Sequence, residues 1–187
     1  GNNKSDEELR AMVTSSSTLG SEERQIVDEV FAAGQVSLRE AMVPRTEVDF
    51  LSGDLPAHKA IRTFHEQPHS RYPVIGEDVD DVIGFVHVRD LFDLDPTARN
   101  APVRQLVRRV ESLPHTMKIL RALTEMRSMN AHLVIVRDEY GGTAGIVTME
   151  DLVEELVGDI SDEFDKPANG VLASPTRKEV DGLETIE

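Results

Sequence analysis

The spacing of apolar residues changes several times along the chain, and each change marks an element. Apolar residues at helical spacing (Ile26, Val27, Val30, Phe31) among charged neighbours predict an amphipathic helix over 22–33, with Ser21 as its N-cap and Gly34 as its stop. A shorter helix is predicted over 6–14. One or two further turns over 37–42 should end at Val43, because a residue before proline is pushed out of the helical region. Residues 45–50 then alternate polar and apolar as a half-buried strand does, and the turn at 53–56 leads into a helix over 57–67 with Ile61 and Phe64 on its inner face. Strands over 70–75 and 82–87 flank the acidic turn 77–81, and a helix over 88–94 stops at Asp95 and Pro96. The order is β-α-β-β-α.

The same order follows a second time. A strand-like stretch at 107–110 precedes a helix over 116–129, a strand over 132–136, a turn at 138–142, a strand over 143–148 and a helix over 149–157. Within it, Gly84 through Leu91 returns as Gly145 through Leu152 at a constant offset of 61 positions, and the same offset pairs Val74-Ile75 with Ile135-Val136. A duplicated strand-strand-helix unit predicts two pseudo-symmetric modules with a cleft between them. Residues 158–165 are acidic, 166–175 are loop-like, and 177–187 show weak periodicity.

Composition narrows the function. The chain has 187 residues, 39% of them hydrophobic, which suits a folded core. With no cysteine, disulfides, thiolate zinc sites and thiol nucleophiles are all excluded, in keeping with a reducing compartment. A formal charge of −15 repels phosphate backbones, so nucleic acid is not an expected partner. No apolar run reaches the roughly 20 residues of a spanning helix, and the polar N-terminus is no signal peptide; a soluble chain is expected.

The chemistry converges on Thr148-Met149-Glu150-Asp151. One reading is a capping box, in which Thr148 accepts from the Asp151 N–H and the carboxylate reaches back. Another uses the same geometry: a helix N-terminus after a strand favours an anion, the Thr148 hydroxyl adds a bond to phosphate, and Asp151 can accept from a ribose diol. In the first copy His87 replaces Thr148 while Asp90 is kept, which predicts one strong cleft and one weaker cleft at His87 and Asp90. Arg71 can serve phosphate or pair with the acidic turn at 78–81, and Tyr140 is expected to pack on the neighbouring module. The histidines are scattered and the carboxylates of 159–165 read as a solvated run, so no protein-bound metal is assigned. No nucleophile–base pair or paired-carboxylate arrangement emerges, so an enzyme is not expected.

Residues 42–46 (Met-Val-Pro-Arg-Thr), 69–74 (His-Ser-Arg-Tyr-Pro-Val), 138–142 (Asp-Glu-Tyr-Gly-Gly), 145–152 and 154–163 together carry a family resemblance. The chain resembles a tandem CBS-domain pair, or Bateman module, of the CorC/HlyC/CNNM group of magnesium-transport-associated, hemolysin-like proteins. The resemblance implies an α/β (α+β) fold of two CBS domains, each β-α-β-β-α, after an N-terminal acidic helical segment. Its implied boundaries are 1–41 for that dimerising, juxtamembrane segment, 42–98 and 99–160 for the two CBS domains, and 161–187 for an acidic tail and the start of a transporter-associated domain.

The resemblance further implies adenine nucleotide between the repeats, with MgATP favoured over AMP or ADP and magnesium held through the phosphates. It places Thr148 on phosphate and Asp151 on ribose, with Arg71 near the phosphates, and Thr46, Val48, Tyr72, Pro73 and Val74 around adenine. The expected whole is a regulatory homodimer at the cytoplasmic face of the cell membrane, controlling magnesium or other divalent cation transport through a membrane domain in cis. The alternatives are a ligand-free dimerisation module and a soluble CorC-like partner acting on a transporter in trans.

Overall fold

The computed structural model describes residues 2–15 and 20–165. Expectations that concern 166–187, including the opening of a further domain, lie outside the described residues. The chain divides into two compact units, one formed by the residues up to Gln35 together with those from Val153 onward, the other by Val36–Leu152.

In the first unit α1 (Asn2–Ser15) packs on α2 (Ser21–Gly34), and Arg10 Nε lies 3.3 Å from Asp28 Oδ1. The N-cap of α2 is Gly20 and not Ser21: Gly20 is extended, its N–H donates to Glu23 Oε2 at 2.9 Å, and Ser21 is already helical. Glu23 therefore supplies the capping bond from inside the helix, so a side chain at the cap position is not needed. Ile26 on the apolar stripe remains 41% exposed.

The second unit contains both repeats. After α3 (Leu38–Ala41) and β1 (Val43–Pro44), the first repeat has β2 (Leu51–Ser52) parallel to β3 (Arg71–Ile75), which runs antiparallel to β4 (Val82–His87), with α4 (Ala57–Glu66) and α5 (Val88–Phe92). The second repeat has β5 (Glu111–Pro114) parallel to β6 (Leu133–Arg137), which is antiparallel to β7 (Thr143–Thr148), with α6 (Ile119–Ser128) and the start of α7 (Met149–Asp165). The mixed α/β fold and its duplicated β-α-β-β-α order agree with the sequence.

Two predicted strands differ in position. In place of a strand over 45–50, Val43 and Pro44 pair with Ile146 and Gly145 of β7, and a turn closed by Glu47 N–H to Pro44 O at 2.8 Å follows. The stretch 107–110 splits: Arg108 bridges Phe85 of the first sheet through N–H···O bonds of 2.7 and 3.0 Å, and the second repeat's own strand begins at Glu111. The segment entering each repeat thus adds to the sheet of the other. Local alternation reports a half-buried strand but carries no information on which sheet receives it.

Close approach at these crossings depends on two glycines one repeat apart. A Cβ on Gly145 would collide with the Val43 carbonyl oxygen, and one on Gly84 would sit 2.5 Å from the Arg108 carbonyl oxygen. The repeats are also joined by polar bonds. Asp80 in the acidic turn accepts from Thr143 N–H at 2.8 Å and Arg45 Nη1 at 3.4 Å, while Arg137 Nη1 donates to the Asp80 carbonyl and to Thr143 Oγ1. Arg45 and Arg137, not Arg71, are the cations of this turn.

The core of the first repeat holds Leu51, Ala57, Ala60, Tyr72, Val74, Val86, Leu91 and Val103, with Ile61 and Phe64 packed against it. The Tyr72 hydroxyl is satisfied within it, donating to Gln67 O at 2.6 Å and accepting from His69 N–H at 3.0 Å. Burial raises the Tyr72 pKa, with the His69 bond opposing and Asp49 adding to the rise. In the second repeat Ile119, Ala122, Met126, the run Leu133–Val136, Val147 and Leu152 are buried. Tyr140 does not pack on the neighbouring module: it is 89% exposed, on a turn whose backbone N–H groups at Tyr140 and Gly142 are held by Asp138 Oδ1.

Candidate functional site

Strand alternation decides which residues of β3 can face a ligand. Successive side chains point to opposite faces, so Tyr72 and Val74 fill the core while Arg71 and Pro73 line a cleft of about 390 Å³. The other walls are Val43 of β1, Glu47 to Asp49 after it, His69 and Ser70, Leu133 of β6, Ile146 and Thr148 of β7, and Glu150 and Asp151 in the first turn of α7. That size lies within the range of small-molecule sites, about 300–1,000 Å³.

Of the residues expected around one nucleotide, Val48, Arg71, Pro73, Thr148 and Asp151 meet here. Three do not line the cleft. The side chains of Tyr72 and Val74 are on the core face, and Thr46 stands exposed in the turn after β1. Val43, Leu133 and Ile146 were missed as lining residues; Val43 and Ile146 meet because β1 joins β7, and Leu133 enters beside Thr148 through the β6–β7 pairing, neither of which sequence periodicity reports.

Thr148 and Asp151 form the reciprocal cap. Asp151 N–H donates to Thr148 Oγ1 at 3.1 Å, and Thr148 N–H donates to Asp151 Oδ2 at 3.3 Å. The two readings of this motif are compatible, because Asp151 Oδ1 has no partner among the described residues and the carboxylate lines the cleft. A cap that fixes the carboxylate also aims its remaining oxygen. Nearby, His69 Nε2 lies 2.7 Å from Asp49 Oδ2. The titratable lining is mostly acidic, with Glu47, Asp49, Glu150 and Asp151 against Arg71 and His69.

The second cleft, about 480 Å³, has the opposite charge. Arg71, Arg89, Arg108 and Arg109 line it with His87 and His132, and Glu111 is its single carboxylate. Arg71 and Leu133 belong to both clefts. His87 takes the N-cap of α5, its Nδ1 accepting from Arg89 N–H at 3.1 Å, so it is a working cap. Burial, then Arg71, Arg89 and Arg108, lower its pKa against the pull of Asp90.

Asp90, the counterpart of Asp151, does not line this cleft. Both its oxygens accept from Arg108, Oδ2 from Nε at 2.8 Å and Oδ1 from Nη2 at 2.7 Å. That hydrogen bonding lowers its pKa despite burial, with the Arg108, His87 and Arg89 charges adding to the effect. A carboxylate with a lowered pKa contributes stability that is present above its ordinary value of 3.8 and is lost as pH falls through the lowered one. The acid limb of a pH–stability curve is therefore expected to be shallower in Asp90→Asn than in the parent; superimposable limbs would show that the pair contributes nothing.

Among the described residues no group of three or more His, Cys, Asp or Glu could hold a metal ion, and no helix is long and apolar enough to cross a membrane.

Comparison with known proteins agrees with this architecture. The CBS domain family model matches residues 38–96 and 103–158. The UPF0053 protein of Mycobacterium bovis is 37% identical over 166 residues, 85% of this chain and 38% of that protein. Hemolysin C of Brachyspira hyodysenteriae is 34% identical over 150 residues, 80% of this chain and 55% of that protein. The chain thus spans from about two fifths to just over half of these relatives.

Among solved structures, the CBS domain of the bacterial CNNM/CorC family Mg2+ transporter in complex with ATP has a TM-score of 0.69 at 31% identity, covering 73% of this chain and 98% of that one. A CBS-domain pair with bound AMP from Klebsiella pneumoniae has a TM-score of 0.58 at 26% identity, covering 66% and 99%. CBS modules are regulatory, not catalytic. A duplicated β-α-β-β-α unit with Thr148 and Asp151 on the cleft wall, together with these matches, makes the chain a member of the CBS-domain family, a tandem pair of the CNNM/CorC and hemolysin C kind.

Proposed function

We propose that the chain is a nucleotide-sensing regulatory module of a divalent cation transport protein, and that MgATP binds in the first cleft. The observation that carries this reading is the capped carboxylate of Asp151, with one oxygen unpartnered, beside the Thr148 hydroxyl and an apolar slot of Val43, Val48, Pro73, Leu133 and Ile146. An adenine ring suits that slot, a ribose diol can donate to Asp151, and Arg71 can pair with phosphate. A CNNM/CorC relative in complex with ATP supports ATP as the kind of ligand.

The acidic lining also bears on the ionic form. Glu47, Asp49 and Glu150 would repel bare ATP, so magnesium carried on the phosphates lowers the cost of entry. In this reading nucleotide binds one arrangement of the module better than another and passes the difference through the helical segment to a membrane domain, in cis or in trans, at the cytoplasmic face. Two copies associate, and the partly exposed stripe around Ile26 is one surface available for it. The proposed boundaries follow the resemblance: 1–41, 42–98, 99–160 and 161–187.

Calorimetry with ATP, ADP and AMP, with and without magnesium, tests this directly. ATP with magnesium is expected to bind most tightly. Tightest binding by AMP would give the site to the ligand of the Klebsiella pair, and no heat from any nucleotide would leave a ligand-free dimerisation module.

A further inference from the structure

The second cleft is positively charged in a chain whose formal charge is −15. Four arginines, Arg71, Arg89, Arg108 and Arg109, line one concavity. Two of them are balanced: Arg108 by Asp90, and Arg109 by Glu111 at 3.1 Å. Arg71 and Arg89 make no ion pair among the described residues, although the protein has 35 acidic residues to supply one. Like charges brought together in a cleft repel, and an anion between them removes the repulsion while pairing with the planar forks of arginine.

The feature that would recognise a nucleoside is missing here. Asp90 occupies the position that Asp151 has in the other copy, but it does not line this cleft, and its carboxylate is turned to Arg108, which donates to both oxygens. We propose that the second cleft is an anion site that takes a compact polyphosphate through Arg71, Arg89, Arg108 and Arg109 by its phosphates alone. This site shares Arg71 and Leu133 with the ATP cleft proposed above, but Arg89, Arg108 and Arg109 line it alone, so a change at Arg89 tests it without touching that cleft.

The probe is inorganic tripolyphosphate, titrated into the 187-residue chain without magnesium, with ATP as the comparison. Arg89 is the residue to change, because its side chain is exposed and lines only the second cleft. Saturable binding of one tripolyphosphate per chain is expected, about tenfold or more weaker in Arg89→Glu, since one charge-assisted bond to phosphate exceeds about 1.4 kcal/mol. Arg89→Lys should retain most of the affinity, Asp151→Ala should leave it unchanged, and circular dichroism should show all three variants folded.

Absence of saturable binding at millimolar tripolyphosphate overturns the proposal, as does an unchanged affinity in Arg89→Glu. Tighter binding in Asp151→Ala, which removes an acidic group from the first cleft, would place the phosphates there and overturn it too. In the Asp151→Ala chain ATP should bind no more tightly than tripolyphosphate; tighter binding would mean that the second cleft does recognise a nucleoside.

Discussion

Replacing Asp151 with alanine is expected to weaken ATP binding about 10- to 100-fold, the loss of hydrogen bonds to an ionised carboxylate at about 1.5–3 kcal/mol. The same change removes half of the cap at the start of α7, in which Thr148 N–H donates to Asp151 Oδ2 at 3.3 Å. Loss of a cap costs about 1 kcal/mol of stability. The two effects are separable by pairing calorimetry with denaturant unfolding. A purely structural Asp151 would lower stability and leave ATP affinity untouched; a ligand-binding Asp151 lowers affinity far more than the unfolding data account for. Thr148→Ser keeps the capping hydroxyl and is expected to retain both.

Gly145→Ala is expected to destabilise the chain by about 2–3 kcal/mol, the cost of forcing extra volume into a packed site. The added Cβ would run into the Val43 carbonyl oxygen and press on Met42 Sδ at 2.9 Å, so β1 must move away from β7. Val43 is also a wall of the first cleft, so nucleotide affinity should fall with stability. Gly158 provides the contrast. It lies within α7, and a Cβ there meets nothing within 4 Å. Gly158→Ala should therefore stabilise by about 0.5–1 kcal/mol, the helix propensity difference alone. Equal melting shifts for the two variants would mean that β1 does not press on β7 as described.

The contrast between these glycines shows where sequence reading reached and where it stopped. Gly145 was visible as a repeated position, matched by Gly84 at the same offset, but its reason was not. The reason lies in segments distant in sequence: residue 43 crosses residue 145, and residue 108 crosses residue 85. Similarly, the motif around Tyr72 was recognisable, yet its contribution to the cleft is divided by the pleat, which sends Arg71 and Pro73 one way and Tyr72 and Val74 the other.

His87 shows the same division. As a residue type it reads as a poor cap and marks a degenerate copy, whereas in the fold its Nδ1 caps α5 and its ring sits among three arginines. The cleft it belongs to is not a faded version of the other one but a differently charged one. No single segment carries that charge, since Arg71, Arg89 and Arg108 come from separate parts of the chain.

The sequence by itself determined the duplication, the order of elements in each copy and the Thr148–Asp151 cap, because each depends on residues within a few positions of one another. Only the tertiary structure decided which sheet each entering segment joins, which face of β3 meets the cleft, and that two copies of one unit form clefts of opposite charge. These depend on contacts between distant segments, where packing and charge are settled by neighbours that local periodicity cannot name.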